Sequence, residues 1–96
     1  MRNEKWTFLT NHAHVLLCIA DNPQLKLREI AVKVGITERS VHGIVNDLME
    51  AGFVEVERQG RCNVYRTHPE KALRHPLEAD HQVAELLRLA SLEQQG

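Results

Sequence analysis

Between Glu38 and Ala51, the side chains best equipped for directional hydrogen bonding recur on one side of a helical projection. At about 100° per residue, Arg39, Gly43, Asn46 and Glu50 fall together, flanked by Ser40, His42 and Asp47. Val41, Val45 and Leu48 cluster within roughly 60° on the opposite side, with Ile44 just beyond. Arg carries a rigid fork of N–H donors and Asn a paired donor and acceptor, so each can grip a planar partner at two points. Gly43 costs a helix interior about 1 kcal/mol relative to Ala. That cost has a purpose if another molecule must approach the backbone there; the alternative is a solvated face with a tolerated glycine. Thr37 stands where a short side-chain oxygen caps the helix start.

A second group of donors follows. From Arg58 to Arg74 the chain has Arg58, Arg61, Arg66, Lys71 and Arg74 against Glu70 alone, whereas Glu78, Asp80, Glu85 and Glu93 face only Arg88 beyond Pro76. The formal net charge of −1 therefore hides a basic middle and an acidic end. Other chemistries find less support. No GxSxG, P-loop, HExxH or GxGxxG pattern occurs, and we expect no enzyme. Cys18 and Cys62 lack CxxC spacing; one reads as a small hydrophobe on an apolar helix and the other as a strand residue. Of the six histidines, His81 has Glu85 four residues along, but two ligands do not complete the four-coordinate site that zinc prefers. We expect neither metal nor cofactor.

The elements that must position these groups can be read from period and punctuation. Trp6 and Phe8 are spaced as in a strand or extended arm. Thr10 or Asn11 caps a buried helix from His12 to Asp21, stopped by Asn22-Pro23. Leu25-Lys26-Leu27 alternates like a three-residue strand, and a short helix runs from Arg28 to Val34 with Gly35 as its left-handed stop. After the helix that ends at Gly52, Phe53–Arg58 and Cys62–Thr67 alternate around the turn Gln59-Gly60-Arg61, which is a hairpin signal. Val83, Leu86, Leu87 and Ala90 then give a last amphipathic helix from Leu77 to Leu92.

The order helix, short strand, helix, turn, helix, hairpin resembles a winged helix-turn-helix domain. The residues Leu27-Arg28-Glu29-Ile30-Ala31-x-x-Val34-Gly35-Ile36-Thr37-x-x-Ser40-Val41, then Asp47-Leu48-x-x-Ala51-Gly52-Phe53-Val54, closely resemble prokaryotic repressors of the MarR and ArsR type. The resemblance covers about residues 10–68. It implies a mainly α fold with a small β-hairpin (α+β), with an additional C-terminal helix at 76–92. It further implies double-stranded DNA as partner, with the helix 38–51 in the major groove. On that reading the DNA-binding residues are Thr37, Arg39, Ser40, His42, Gly43 and Asn46, with Arg61 on the wing entering the minor groove and Arg58 and Arg66 on phosphates. Metal-sensing ArsR relatives carry a Cys pair in the preceding helix, and Arg28 to Val34 contains none.

The 96 residues fit one domain. No run approaches the ~18–20 apolar residues of a membrane span, and the start lacks an apolar signal core, so we expect a cytoplasmic chain that binds no membrane. One such domain reads few base pairs, so specificity calls for two copies on a palindromic site. The dimer surface is expected at Trp6, Phe8, Val83, Leu86, Leu89, Ala90 and Leu92. No effector can be named. The competing class is a winged helix that binds only proteins, to which Asp47 and Glu50 would be suited.

Overall fold

The computed structural model describes residues 6–95, with side chains described from Trp6 to Leu89. Four helices and one hairpin appear in the order α1 (Asn11–Asp21), α2 (Leu27–Val34), α3 (Glu38–Glu50), β1 (Val54–Gln59), β2 (Cys62–Thr67) and α4 (Val83–Gln95), with a 3₁₀ turn at Pro76–Glu78 before α4. This is the α+β winged arrangement the sequence implies. Thr10 caps α1 by accepting from the Ala13 amide at 3.3 Å. α1 contributes Val15, Leu16 and Ile19 to a core completed by Ile30 and Ala31 of α2, by the apolar stripe of α3, and by Phe53, Val54, Tyr65 and Val83.

The strand expected at Leu25-Lys26-Leu27 does not form. Lys26 is instead the N-cap of α2. Its amide donates to Glu29 Oε1 at 2.8 Å and its carbonyl accepts from the Glu29 and Ile30 amides, which commits this backbone to a helix start. One link to the sheet remains, from the Tyr65 amide to the Pro23 carbonyl at 2.9 Å. Gly35 closes α2 with φ +88°, a conformation that L side chains resist, and both Gly35 and Ile36 amides return to the Ala31 carbonyl. This tight exit turns the chain directly into α3.

The hairpin loop is two residues, because Gln59 pairs with Cys62. Gly60 takes φ +64° while Arg61 keeps a negative φ, the pattern of a II′ turn whose twist matches its strands.

The last helix starts at Val83, where its hydrophobic spacing begins, and not at the expected Leu77. Leu77, which prompted the earlier start, is 85% exposed in the 3₁₀ turn. Ala72 and Gln82 form an isolated bridge, the Leu73 amide donates to the His81 carbonyl and the Val83 amide to the Lys71 carbonyl. That pairing holds residues 81–82 extended, so a helix cannot pass through them. Val83 is 2% exposed within its own core, so the dimer role expected of it is corrected: no surface is left for a partner. Ala90 and Leu92 lie outside the described side chains.

At the start of α4, Glu85 accepts from His81 Nδ1 at 2.8 Å and from the Gln82 amide at 3.3 Å. That hydrogen bond, then the charges of Glu85 and Asp80, raises the His81 pKa above its ordinary 6.5. The same bond, then the Gln82 amide, lowers that of Glu85. Folded His81 is raised, so its contribution is complete below the unfolded value and is lost as pH rises through the folded one. Folded Glu85 is lowered, so its contribution is lost as pH falls through that value. An NMR titration should therefore place the His81 midpoint above 6.5, and Glu85→Gln should bring it down.

Candidate nucleic-acid interface

α3 buries Val41, Ile44, Val45 and Leu48 and turns its other side to solvent. Arg39, Ser40, His42, Gly43 and Asn46 are all exposed there. A Cβ added at Gly43 would meet nothing within 4 Å, so packing inside the chain does not require glycine at this position. Thr37 Oγ1 accepts from the Ser40 amide at 3.0 Å and its hydroxyl donates to Ser40 Oγ at 2.9 Å. The Thr37 oxygen is therefore engaged as a cap, and the Ser40 hydroxyl proton is the one directed elsewhere. Among the described residues Arg39 has no ion-pair partner. At the far end of α3, Asp47 Oδ2 accepts from His12 Nε2 at 2.8 Å, tying its carboxylate to the start of α1.

The hairpin register separates the basic residues read as one wing. Arg58 pairs with Asn63 and Val56 with Tyr65, so Arg58 shares the face that carries the buried Tyr65. Arg66 pairs with Glu55 on the opposite face, and its guanidinium donates to Glu57 Oε1 at 3.3 Å. One flat phosphate surface cannot be met by both faces of a ribbon, and the structure does not bring Arg66 together with Arg58 and Arg61. Arg58 Nε donates to the Gly60 carbonyl at 3.2 Å and braces the turn. Arg61 stands exposed at its tip.

Sequence reasoning missed what lies between helix and hairpin. A cleft of about 480 Å³ is bounded by Lys26, Arg28 and Glu38 on the helix side and by Arg61, Asn63 and Tyr65 on the hairpin side. Lys26 and Arg28 were legible only as basic residues near a helix start. On the far side of α3, a second cleft of about 530 Å³ has His12, Asp47, Glu50 and Arg74 at its edge. Among the described residues, no group of three or more His, Cys, Asp or Glu side chains is arranged to hold a metal ion. Burial pushes the Cys18 thiol up, outweighing the opposing charge of Lys33.

α3 thus presents an exposed polar face, and Arg61 stands exposed at the hairpin tip. The model of the MarR family matches residues 7–61, from the lead-in before α1 to the hairpin tip. The chain belongs to the MarR family. The fold is similar to that of the PcaV transcriptional regulator from Streptomyces coelicolor, solved in complex with its natural ligand, with a TM-score of 0.56 and 18% identity. The likeness covers 88% of this chain and 62% of the PcaV chain, and at this identity it is one of fold. No curated protein matches the chain. Among the described residues no helix is long and apolar enough to cross a membrane.

Proposed function

We propose that this MarR-family chain is a cytoplasmic, homodimeric repressor that reads a palindromic operator, with α3 in the major groove and the hairpin tip in the adjacent minor groove. The observation that carries the reading is the division of α3: Val41, Ile44, Val45 and Leu48 are buried, which leaves Arg39, His42, Gly43 and Asn46 exposed on the outside. Arg pairs bidentately with guanine and Asn with adenine, so this face can discriminate bases. Arg61, at the tip of a two-residue turn, suits a narrow minor groove. Exposed Trp6 and Phe8, packed edge to face at 5.0 Å, and Leu89 on the outer side of α4, are apolar surface for a second copy.

The test is selection of bound sequences from a genomic pool, followed by gel-shift titration across salt concentrations. The reading requires a symmetric selected site and an affinity that falls steeply with salt. No binding to any fragment at low salt would favour the protein-interaction class. Arg61→Ala should weaken binding to most sequences and make the salt slope shallower by about 1, the signature of one cation lost from the DNA surface.

A further inference from the structure

Each sugar–phosphate backbone of a duplex is the wall between one major and one minor groove. A protein that sets α3 in the first and a hairpin tip in the second must straddle that wall. Beside those two elements, where residues 24–28 at the start of α2 and Glu38 at the start of α3 face the hairpin, lies the cleft of about 480 Å³. We propose that this cleft is a seat for backbone phosphates, with Lys26 and Arg28 forming a cationic wall opposite Arg61. The inference rests on the groove-reading proposal above, shares Arg61 with it and adds Lys26 and Arg28, which that proposal does not use.

Three features point to an anion. Lys26, Arg28 and Arg61 all border the cleft, and among the described residues none of them has an ion-pair partner, in contrast to Arg66. The neighbouring carboxylate, Glu29, is turned to the Lys26 amide as a helix cap and not to these cations. The two walls are also held in fixed relation, because the Tyr65 amide on β2 donates to the Pro23 carbonyl just ahead of Lys26. Among the described residues, Glu38 is the only carboxylate bordering the cleft, and it opposes the same charge.

The ligand chemistry is a phosphate oxyanion, and the source is the DNA backbone. Each phosphate contact contributes about 0.9 to the slope of log affinity against log salt, so the Lys26→Ala/Arg28→Ala double variant should flatten the slope by roughly 2 and weaken binding several tens of fold at about 0.1 M salt. The loss should be the same on operator and unrelated duplex, leaving their ratio unchanged. Glu38→Gln should act in the opposite direction, tightening binding to all sequences, a gain that a folding defect cannot mimic. Inorganic phosphate titrated into the free protein should leave the Lys26, Arg28 and Arg61 resonances unsaturated at millimolar concentration; saturation there would assign the cleft to a free anion and overturn the proposal. If Arg39→Ala and Arg61→Ala impair binding while the double variant keeps wild-type affinity and slope, the cleft assignment alone falls. If the wild-type chain binds no duplex, both proposals fall together.

Discussion

Arg39→Ala is expected to lower affinity for the selected operator by about 1–3 kcal/mol, the worth of one good bidentate base contact, and to leave affinity for unrelated duplex nearly unchanged. Arg39 is the second residue of α3, and base contacts in helix-turn-helix proteins come from the N-terminal part of the recognition helix. Its neighbours favour such a role. Thr37 and Ser40 satisfy each other, which fixes the first turn, while the guanidinium of Arg39 has no ion-pair partner among the described residues. The acidic groups at the other end of α3 are less intrusive than the sequence suggests, since Asp47 is tied to His12. Competition gel shifts with single-base operator variants measure the effect. Relaxed preference at one or two positions per half-site is the expected pattern, and Asn46→Ala should relax different positions. An equal loss on all DNA would make Arg39 a phosphate contact instead. No loss on either would mean that this face of α3 does not enter the groove.

How far the fold could be read from the sequence depended on where each element's information resides. α3 was legible because its apolar period, Thr37 cap and glycine exits are all local, and each constrains the same residues. The hairpin was legible for the same reason, since alternation and Gly60 specify strands and turn together. What escaped was set by specific hydrogen-bond partners and packing that alternation and period do not reveal. Lys26 alternates with Leu25 and Leu27 like a strand residue, but the Glu29 carboxylate converts it to a helix cap. The helix was expected from Leu77, but Leu77 lies roughly 120° off the Val83 stripe, and backbone pairing between 71–73 and 81–83 breaks any helix before Val83. Val83 sits on the apolar stripe either way; only the packed core shows that its side chain is consumed by its own domain.

The candidate site divided along the same line. Residue types on α3 told which side chains face outward, because helical period alone decides it. The hairpin arginines could not be sorted so, since pairing register decides which face each occupies; Arg58 and Arg66 share a charge and a strand pair yet point apart. The cleft was invisible because Lys26, Arg28, Glu38 and Arg61 are close only after the Gly35 turn and the Tyr65–Pro23 hydrogen bond have folded the chain back. The tie from His12 to Asp47 spans 35 residues and carried no sequence signal.

Gly43→Ala should separate stability from binding by moving them in opposite directions. In the free protein the new methyl group meets nothing within 4 Å, so the helix-propensity gain of about 1 kcal/mol should be fully realised. For a domain of this size that raises the melting midpoint by roughly 4–8 °C. On DNA the same methyl projects from the middle of the outward face, between Arg39 and Asn46, where the proposed complex brings base edges or phosphates against the backbone. Operator affinity should then fall by at least about tenfold, comparable with losing one base contact. Gly43→Leu extends the argument, because Leu is also a strong helix former but far larger: its stability should stay near that of the Ala variant while binding falls further. A graded loss of binding with no loss of stability identifies steric exclusion from a groove, since misfolding would lower both. If the Ala variant melts higher and binds the operator as tightly as wild type, α3 does not approach the duplex through Gly43, and the helix must dock by another part of its surface.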